Sequence, residues 1–243
     1  MKTPRPNLAA LVQATGVAGA SAPTGADAPP RLLVKVCGMR DADALTKVAA
    51  LKPDFLGFIF APASPRFVGA ALVPEQLQAL PPAIWKVGVF VNETTDHILQ
   101  TAEHFGLAAV QLHGHETPAQ CAALSEAGLL VMKAFSVGEA VDFAALLPYV
   151  PHCDYFLFDA KGAAPGGNGL VFNWKLLQGY NLPVPYFLAG GLGLEHAAEL
   201  AALRLPGLAG VDLNSGFETA PGVKNATRLA QMLTQLRSGA SFL

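Results

Sequence analysis

From residue 32 onward, short apolar runs alternate with segments of helical spacing. The runs at 32–36, 55–60, 86–91, 108–112, 129–134, 155–159, 185–189 and 208–213 read as strands. Each is short and mostly apolar, as parallel strands covered on both faces are. Between them lie helix signals. Asp41 is an N-cap ahead of Ala44, Leu45, Val48 and Ala49 at helical spacing. Thr94 opens a helix with Ile98, Ala102 and Phe105 inward and Gly106 as its stop. Thr117-Pro-Ala-Gln120 has the form of a capping box with proline at the first helical position, and Gly128 closes that helix. A last helix over 224–237 shows Ala226, Leu229, Leu233 and Leu236 on one face. Signals are weak around 74–80 and short after the sixth strand. Eight alternations in one chain predict a single (β/α)8 TIM barrel, over residues 31–243. A doubly wound sheet is the alternative, because periodicity does not decide closure.

Residues 1–30 break the pattern. Ala, Pro, Gly, Ser and Thr dominate there, which predicts a low-complexity, disordered tail. Lys2 and Arg5 precede a mildly apolar stretch, but Gln13 and Thr15 interrupt it, making a poor likeness of a secretory signal. Net charge is −2 without a Lys/Arg cluster, so no nucleic-acid partner is expected. No apolar run approaches the roughly 18–20 residues of a membrane helix. Cys37, Cys121 and Cys153 are an odd number without a CxxC pair, which argues against a disulfide framework or a metal site. A reducing, cytoplasmic setting is the expectation.

Chemistry in a barrel gathers at the carboxyl ends of the strands. Those ends here are Cys37, Ser64-Pro-Arg66, Asn92, Gln111 with His113, Asp159, Ala189-Gly190-Gly191, and Asp212 through Gly216. Polar groups and glycines thus collect at one end of otherwise oily strands.

Cys37 is the candidate nucleophile or base. Strand alternation puts Leu33, Lys35 and Cys37 on one face, and a lysine there lowers the pKa of a thiol. Cys121 lies in a helix and Cys153 at the opposite end of its strand, so both read as core. Asp159 shares a face with Tyr155 and Leu157 and crowns the interior. A carboxyl in an apolar mouth suits a general acid, because burial favours its neutral form. Asp154, at the other end of that strand, reads as a structural or solvated residue. The glycine-rich ends after strands seven and eight, Gly190-Gly191 and Asn214-Ser215-Gly216, form a pair placed as phosphate-binding loops are in many barrels. Arg66 offers a fork for a carboxylate, and His113, on the face of Gln111, is a ligand contact. The stretch Gly166-Gly-Asn-Gly169 has the composition of a lid, and equally of a plain flexible loop.

Taken in order, these pieces resemble the phosphoribosylanthranilate isomerase family of tryptophan biosynthesis. The matching stretches are Lys35-Val-Cys-Gly38, Gly57-Phe-Ile-Phe60, Ser64-Pro-Arg66-Phe67, Val87-Gly-Val-Phe-Val-Asn92 and Val110-Gln-Leu-His-Gly114. They continue with Asp159, Gly166-Gly-Asn-Gly169, Phe172-Asn-Trp174, Leu188-Ala-Gly-Gly-Leu192 and Gly210-Val-Asp-Leu-Asn-Ser-Gly-Phe-Glu218. The resemblance implies a cofactor-independent, metal-free Amadori rearrangement of N-(5-phosphoribosyl)anthranilate to 1-(2-carboxyphenylamino)-1-deoxyribulose 5-phosphate. It implies Asp159 as the acid that opens the ring and Cys37 as the base at C2. Arg66 is then the anthranilate carboxylate clamp, with Lys35, His113 and Asp212 as further substrate contacts and the two glycine loops as the phosphate cradle. The implied partner is a small phosphorylated molecule, and the chain a monomer or homodimer. Asn168 stands where the family usually has Thr or Ser, and Asn214 where Ser is common.

Two other readings compete. The related histidine-pathway sugar isomerase performs the same rearrangement but has aspartate in place of Cys37. A non-catalytic phosphosugar-binding barrel would require Cys37 or Asp159 to be missing. A thiol-redox role lacks a resolving cysteine nearby in sequence.

Overall fold

The computed structural model describes residues 31–160 and 171–238. The predicted tail and the lid stretch 166–169 lie outside them. Eight parallel strands close on themselves in sequence order. They are β1 (Leu33–Val36), β2 (Phe55–Ile59), β3 (Trp85–Phe90), β4 (Ala109–Leu112), β5 (Leu130–Val137), β6 (Tyr155–Ala160), β7 (Tyr186–Leu188) and β8 (Leu208–Leu213). The β1–β8 pairing decides for the barrel over the open sheet, and its register sets Lys35 beside Asp212.

The helices are α1 (Ala42–Ala49), α2 (Pro74–Gln78), α3 (Thr95–Phe105), α4 (Pro118–Glu126), α5 (Ala197–Ala202) and α6 (Ala226–Ser238). Asp41 Oδ1 caps α1 by accepting from the Ala44 N–H at 2.7 Å. Thr94 caps α3 and Gly106, at φ 61°, ends it. The capping box before α4 is only half made. Thr117 accepts from the Gln120 N–H, but the Gln120 amide donates 2.7 Å to the Glu93 carbonyl instead of returning to the cap.

Two of the expected helical crossovers are short. Only 3-10 turns, Ala144–Tyr149 and Trp174–Leu177, follow β5 and β6 among the described residues, and Pro148 sits inside the first of them. The last helix starts later than its sequence pattern predicts. Lys224 belongs to a hairpin of β9 (Glu218–Ala220) and β10 (Val223–Lys224), and Met232 joins the buried face of α6.

Strand alternation divides the core as expected. Val34 and Val36 pack outward under the helices, whereas Leu33, Phe55, Val87, Tyr155, Leu157 and Phe187 fill the interior. The rings of Phe55, Tyr155 and Phe187 meet edge to face at 5.2–6.2 Å and plug the lower barrel. At the amino ends of the strands, Asp54 accepts from the Val34 N–H and pairs with Arg31, and Asp154 accepts from the Val131 N–H. Asp154 is therefore structural, one of the two readings that its position left open.

A buried ion pair lies on the outer face of β5. Lys133 of β5 and Glu116 are both under 4% exposed and 3.1 Å apart. Lys133 also donates to the carbonyls of Leu112, Gly114 and Ala134, and Glu116 accepts from the N–H groups of Asn92 and Gly114. Burial pushes the Glu116 carboxyl up, but the Lys133 charge and these N–H donors outweigh it and hold it below its usual range. Lys133→Met strands a buried carboxylate and is expected to cost about 3–5 kcal/mol, read by urea unfolding, with part recovered in the Lys133→Met/Glu116→Gln double variant. Unchanged stability in the single variant would contradict that arrangement.

Candidate active site

At the carboxyl end of β1 the interior changes from oily to ionic. Lys35 is fully buried, and its Nζ donates to both Asp212 carboxylate oxygens at 3.0 Å. Its Nζ also stands beside the Cys37 thiol, both facing Gly57. Burial pulls the Lys35 ammonium down, but Asp212 and Cys37 together more than offset this, and it stays above its usual range. Gly57 on β2 leaves the room this needs. A Cβ there would sit 2.8 Å from Cys37 Sγ and 3.1 Å from Lys35 Nζ.

Cys37 is 3% exposed. The lowered thiol pKa expected from Lys35 is corrected here. Burial pushes the Cys37 thiol up, Lys35 pulls it down, Asp212 pushes it up again, and the net shift is upward. Burial and the Asp212 carboxylate oppose the thiolate, and the Lys35 and Lys224 ammonium groups favour it. Further positive charge at the mouth would favour the thiolate.

Asp159 ends β6 facing inward, with its side chain 28% exposed, so its surroundings are wetter than the apolar mouth its strand pattern implies. Its neighbour is His113, whose Nε2 lies 3.3 Å from Asp159 Oδ2. The His113 Nδ1 meets the Gln111 amide nitrogen at 2.7 Å. His113 thus stands beside the candidate acid.

Arg66 differs from a free fork at the mouth. It is 7% exposed, and its Nε and Nη2 donate to Glu218 at 2.7–3.0 Å. The same carboxylate accepts from Lys224 Nζ at 2.6 Å, and Lys224 donates to Asn214 Oδ1 at 2.7 Å. Burial pushes Glu218 up, but the hydrogen bond from Arg66 and the Lys224 charge outweigh it, leaving the carboxyl below its usual range. Gly38, at φ 75°, brings the loop after Cys37 against this cluster, and a Cβ there would lie 2.7 Å from Asn214 Oδ1 and 2.8 Å from Arg66 Cδ.

The two glycine loops do come together. A Cβ on Gly216 would collide with the Leu192 carbonyl of the loop after β7. Gly190, at φ 82°, approaches Asp159 so closely that a Cβ would lie 2.6 Å from its Oδ1. Gly191 follows at φ 64°. Ser215 and Gly216 begin a 3-10 turn, whereas the Asn214 side chain is turned to Lys224 rather than into the loop. Asn92 is structural. Its backbone is left-handed at φ 53°, and its Oδ1 accepts from the His115 N–H at 2.6 Å.

Glu218, Lys224, Glu116 and Lys133 carry no role in the sequence reading. Lys133 had a signal, a lysine within an apolar strand like Lys35. Lys224 had none, because it sits at the edge of a helical pattern.

Known proteins share this architecture. The N-(5'-phosphoribosyl)anthranilate isomerase (PRA isomerase) family profile matches residues 34–235. An N-(5'-phosphoribosyl)anthranilate isomerase of Phocaeicola vulgatus is 41% identical over 206 residues, covering 85% of this chain and 98% of that protein. A crystal structure of phosphoribosyl anthranilate isomerase from Thermotoga maritima superposes with a TM-score of 0.74 at 32% identity, over 85% of this chain and 99% of that one. Another structure of such an isomerase, in complex with reduced 1-(o-carboxyphenylamino)-1-deoxyribulose 5-phosphate, superposes at 0.71 with 30% identity, over 85% of this chain and 99% of that one.

Proposed function

The chain belongs to the N-(5'-phosphoribosyl)anthranilate isomerase family, and we propose that Cys37 and Asp159 are the base and acid of its aldose–ketose rearrangement. The observation that carries this is the convergence, at one barrel mouth, of an inward thiol over a buried ammonium and an inward carboxyl against a glycine loop.

The substrate is N-(5-phosphoribosyl)anthranilate. Its phosphate sits on the Gly190-Gly191 and Asn214-Ser215-Gly216 loops, which supply backbone N–H groups. Arg66, held by Glu218, turns its remaining Nη1 edge to the anthranilate carboxylate. Asp159 protonates the furanose ring oxygen, the ring C–O bond breaks, and a cationic Schiff base forms. That positive charge tips the buried Cys37 thiol to thiolate, its proton leaving to solvent. The thiolate removes the C2 proton, giving an enolamine that tautomerises to the ketone. Asp212, paired with Lys35, holds the ammonium beneath the thiol and lines the substrate side. We further propose that the enzyme works in the cytoplasm, where Cys37 stays reduced, as a monomer or homodimer.

Freshly generated phosphoribosylanthranilate is expected to lose its anthranilate-type fluorescence with the protein far faster than without it. A folded protein that binds inorganic phosphate but leaves the background rate unchanged would favour the non-catalytic phosphosugar barrel instead. A pH profile tests the base. Because the Cys37 thiol is raised, kcat/KM is expected to keep climbing with pH through the ordinary thiol range near about 8.5. Cys37→Asp is expected to move that limb down towards the carboxylate range. An identical limb in both proteins would remove Cys37 from the role.

A further inference from the structure

Resting on Asp159 as the acid, we propose that His113 recharges Asp159 in each turnover by relaying a proton from solvent, and that Gln111 is the positioning residue that serves both protonation forms of the imidazole.

The geometry sets the starting form. The Gln111 amide nitrogen only donates, so the His113 Nδ1 it meets at 2.7 Å accepts. A neutral imidazole then carries its hydrogen on Nε2, which lies 3.3 Å from Asp159 Oδ2. In that form Asp159 Oδ2 accepts from the ring, so the proton that Asp159 gives to the substrate has to be replaced in each turnover. The ring is 33% exposed and the carboxyl 28%, so the pair spans solvent and the barrel interior.

Gln111 supplies what the other form needs. It is 1% exposed, and its Oε1 is a buried acceptor without a hydrogen bond among the described residues. A half turn of the amide brings Oε1 to Nδ1. That acceptor matches an imidazolium, which donates from both nitrogens. One residue therefore fits His113 before and after protonation.

The steps balance. The exposed imidazole takes one proton from solvent and becomes an imidazolium, with Nδ1–H on Gln111 Oε1 and Nε2–H on Asp159. The Nε2–H bond breaks as the Asp159 Oδ2–H bond forms, leaving a neutral ring with its hydrogen on Nδ1. Asp159 passes that proton to the substrate ring oxygen. The ring returns to its first tautomer by exchange with solvent. The charged groups around it are Asp159 from β6, Asp212 from β8 with Lys35 beneath, and the Lys133–Glu116 pair under its loop. That last pair clamps both the N–H and the carbonyl of Gly114, next to His113.

The test is His113→Ala, assayed across pH with and without imidazole in the buffer. Expected are a kcat at least about tenfold lower with KM unchanged, a displaced acid limb, and recovery by added imidazole. Gln111→Met is expected to shift the acid limb as well, and to move the His113 ring ¹⁵N signals from the Nε2–H pattern of the wild type. A loss confined to KM, an unaltered kcat–pH profile, or no response to imidazole would overturn the relay. The two readings separate cleanly. An inactive Asp159→Asn beside a fully active His113→Ala removes the relay alone, whereas a fully active Asp159→Asn removes the acid assignment on which it rests.

Discussion

Cys37→Ser is expected to lower kcat by about 10²–10⁴-fold, the usual span for loss of an acid–base group, while the protein folds and binds phosphate esters as before. The reasoning is local. The side chain is almost fully buried and the substitution is nearly isosteric, so packing on β1 and against Gly57 survives. What is lost is an ionisable group. Lys35 and the cationic Schiff base together carry a thiol to thiolate, but a hydroxyl is far too weak an acid to follow. Cys37→Asp restores a base and is expected to recover part of the rate. Activity in Cys37→Ser within a few-fold of wild type would mean that another group removes the C2 proton.

Asp159→Asn is expected to cause a loss of comparable size, about 10²–10⁴-fold, for a different step. The amide keeps the shape of the carboxyl and can still accept from His113 Nε2. Gly190, which packs against Asp159 Oδ1, meets a group of the same size. Phosphate binding should therefore hold while ring opening fails. Loss of substrate affinity with kcat preserved would make Asp159 a binding group instead of an acid.

Much of this site was legible because strands have a period of two. Once Leu32-Leu-Val-Lys-Val-Cys37 reads as a strand, the inward placement of Lys35 and Cys37 follows, and the same holds for Tyr155, Leu157 and Asp159. Barrel closure was not legible. It rests on the β1–β8 register, which also seats Lys35 on Asp212 across 177 residues of chain. Electrostatic balance was equally out of reach. The Lys35–Cys37 spacing reports an attraction, but the net shift of the thiol depends on how completely the barrel buries it. Arg66 shows the same limit. Its type and position suit a carboxylate, yet whether it meets one from the substrate or from Glu218 depends on a hairpin that the helical pattern around Lys224 concealed.

The most direct test of the central claim is single-turnover conversion of substrate carrying deuterium at C2, followed by anthranilate fluorescence across pH. The account requires the wild type to be slowed by deuterium, with a rate that climbs with pH along the Cys37 titration and a limb that moves in Cys37→Asp. Equal rates for protium and deuterium in a chemistry-limited turnover, or a pH limb indifferent to residue 37, would show that proton removal at C2 does not run through this thiol.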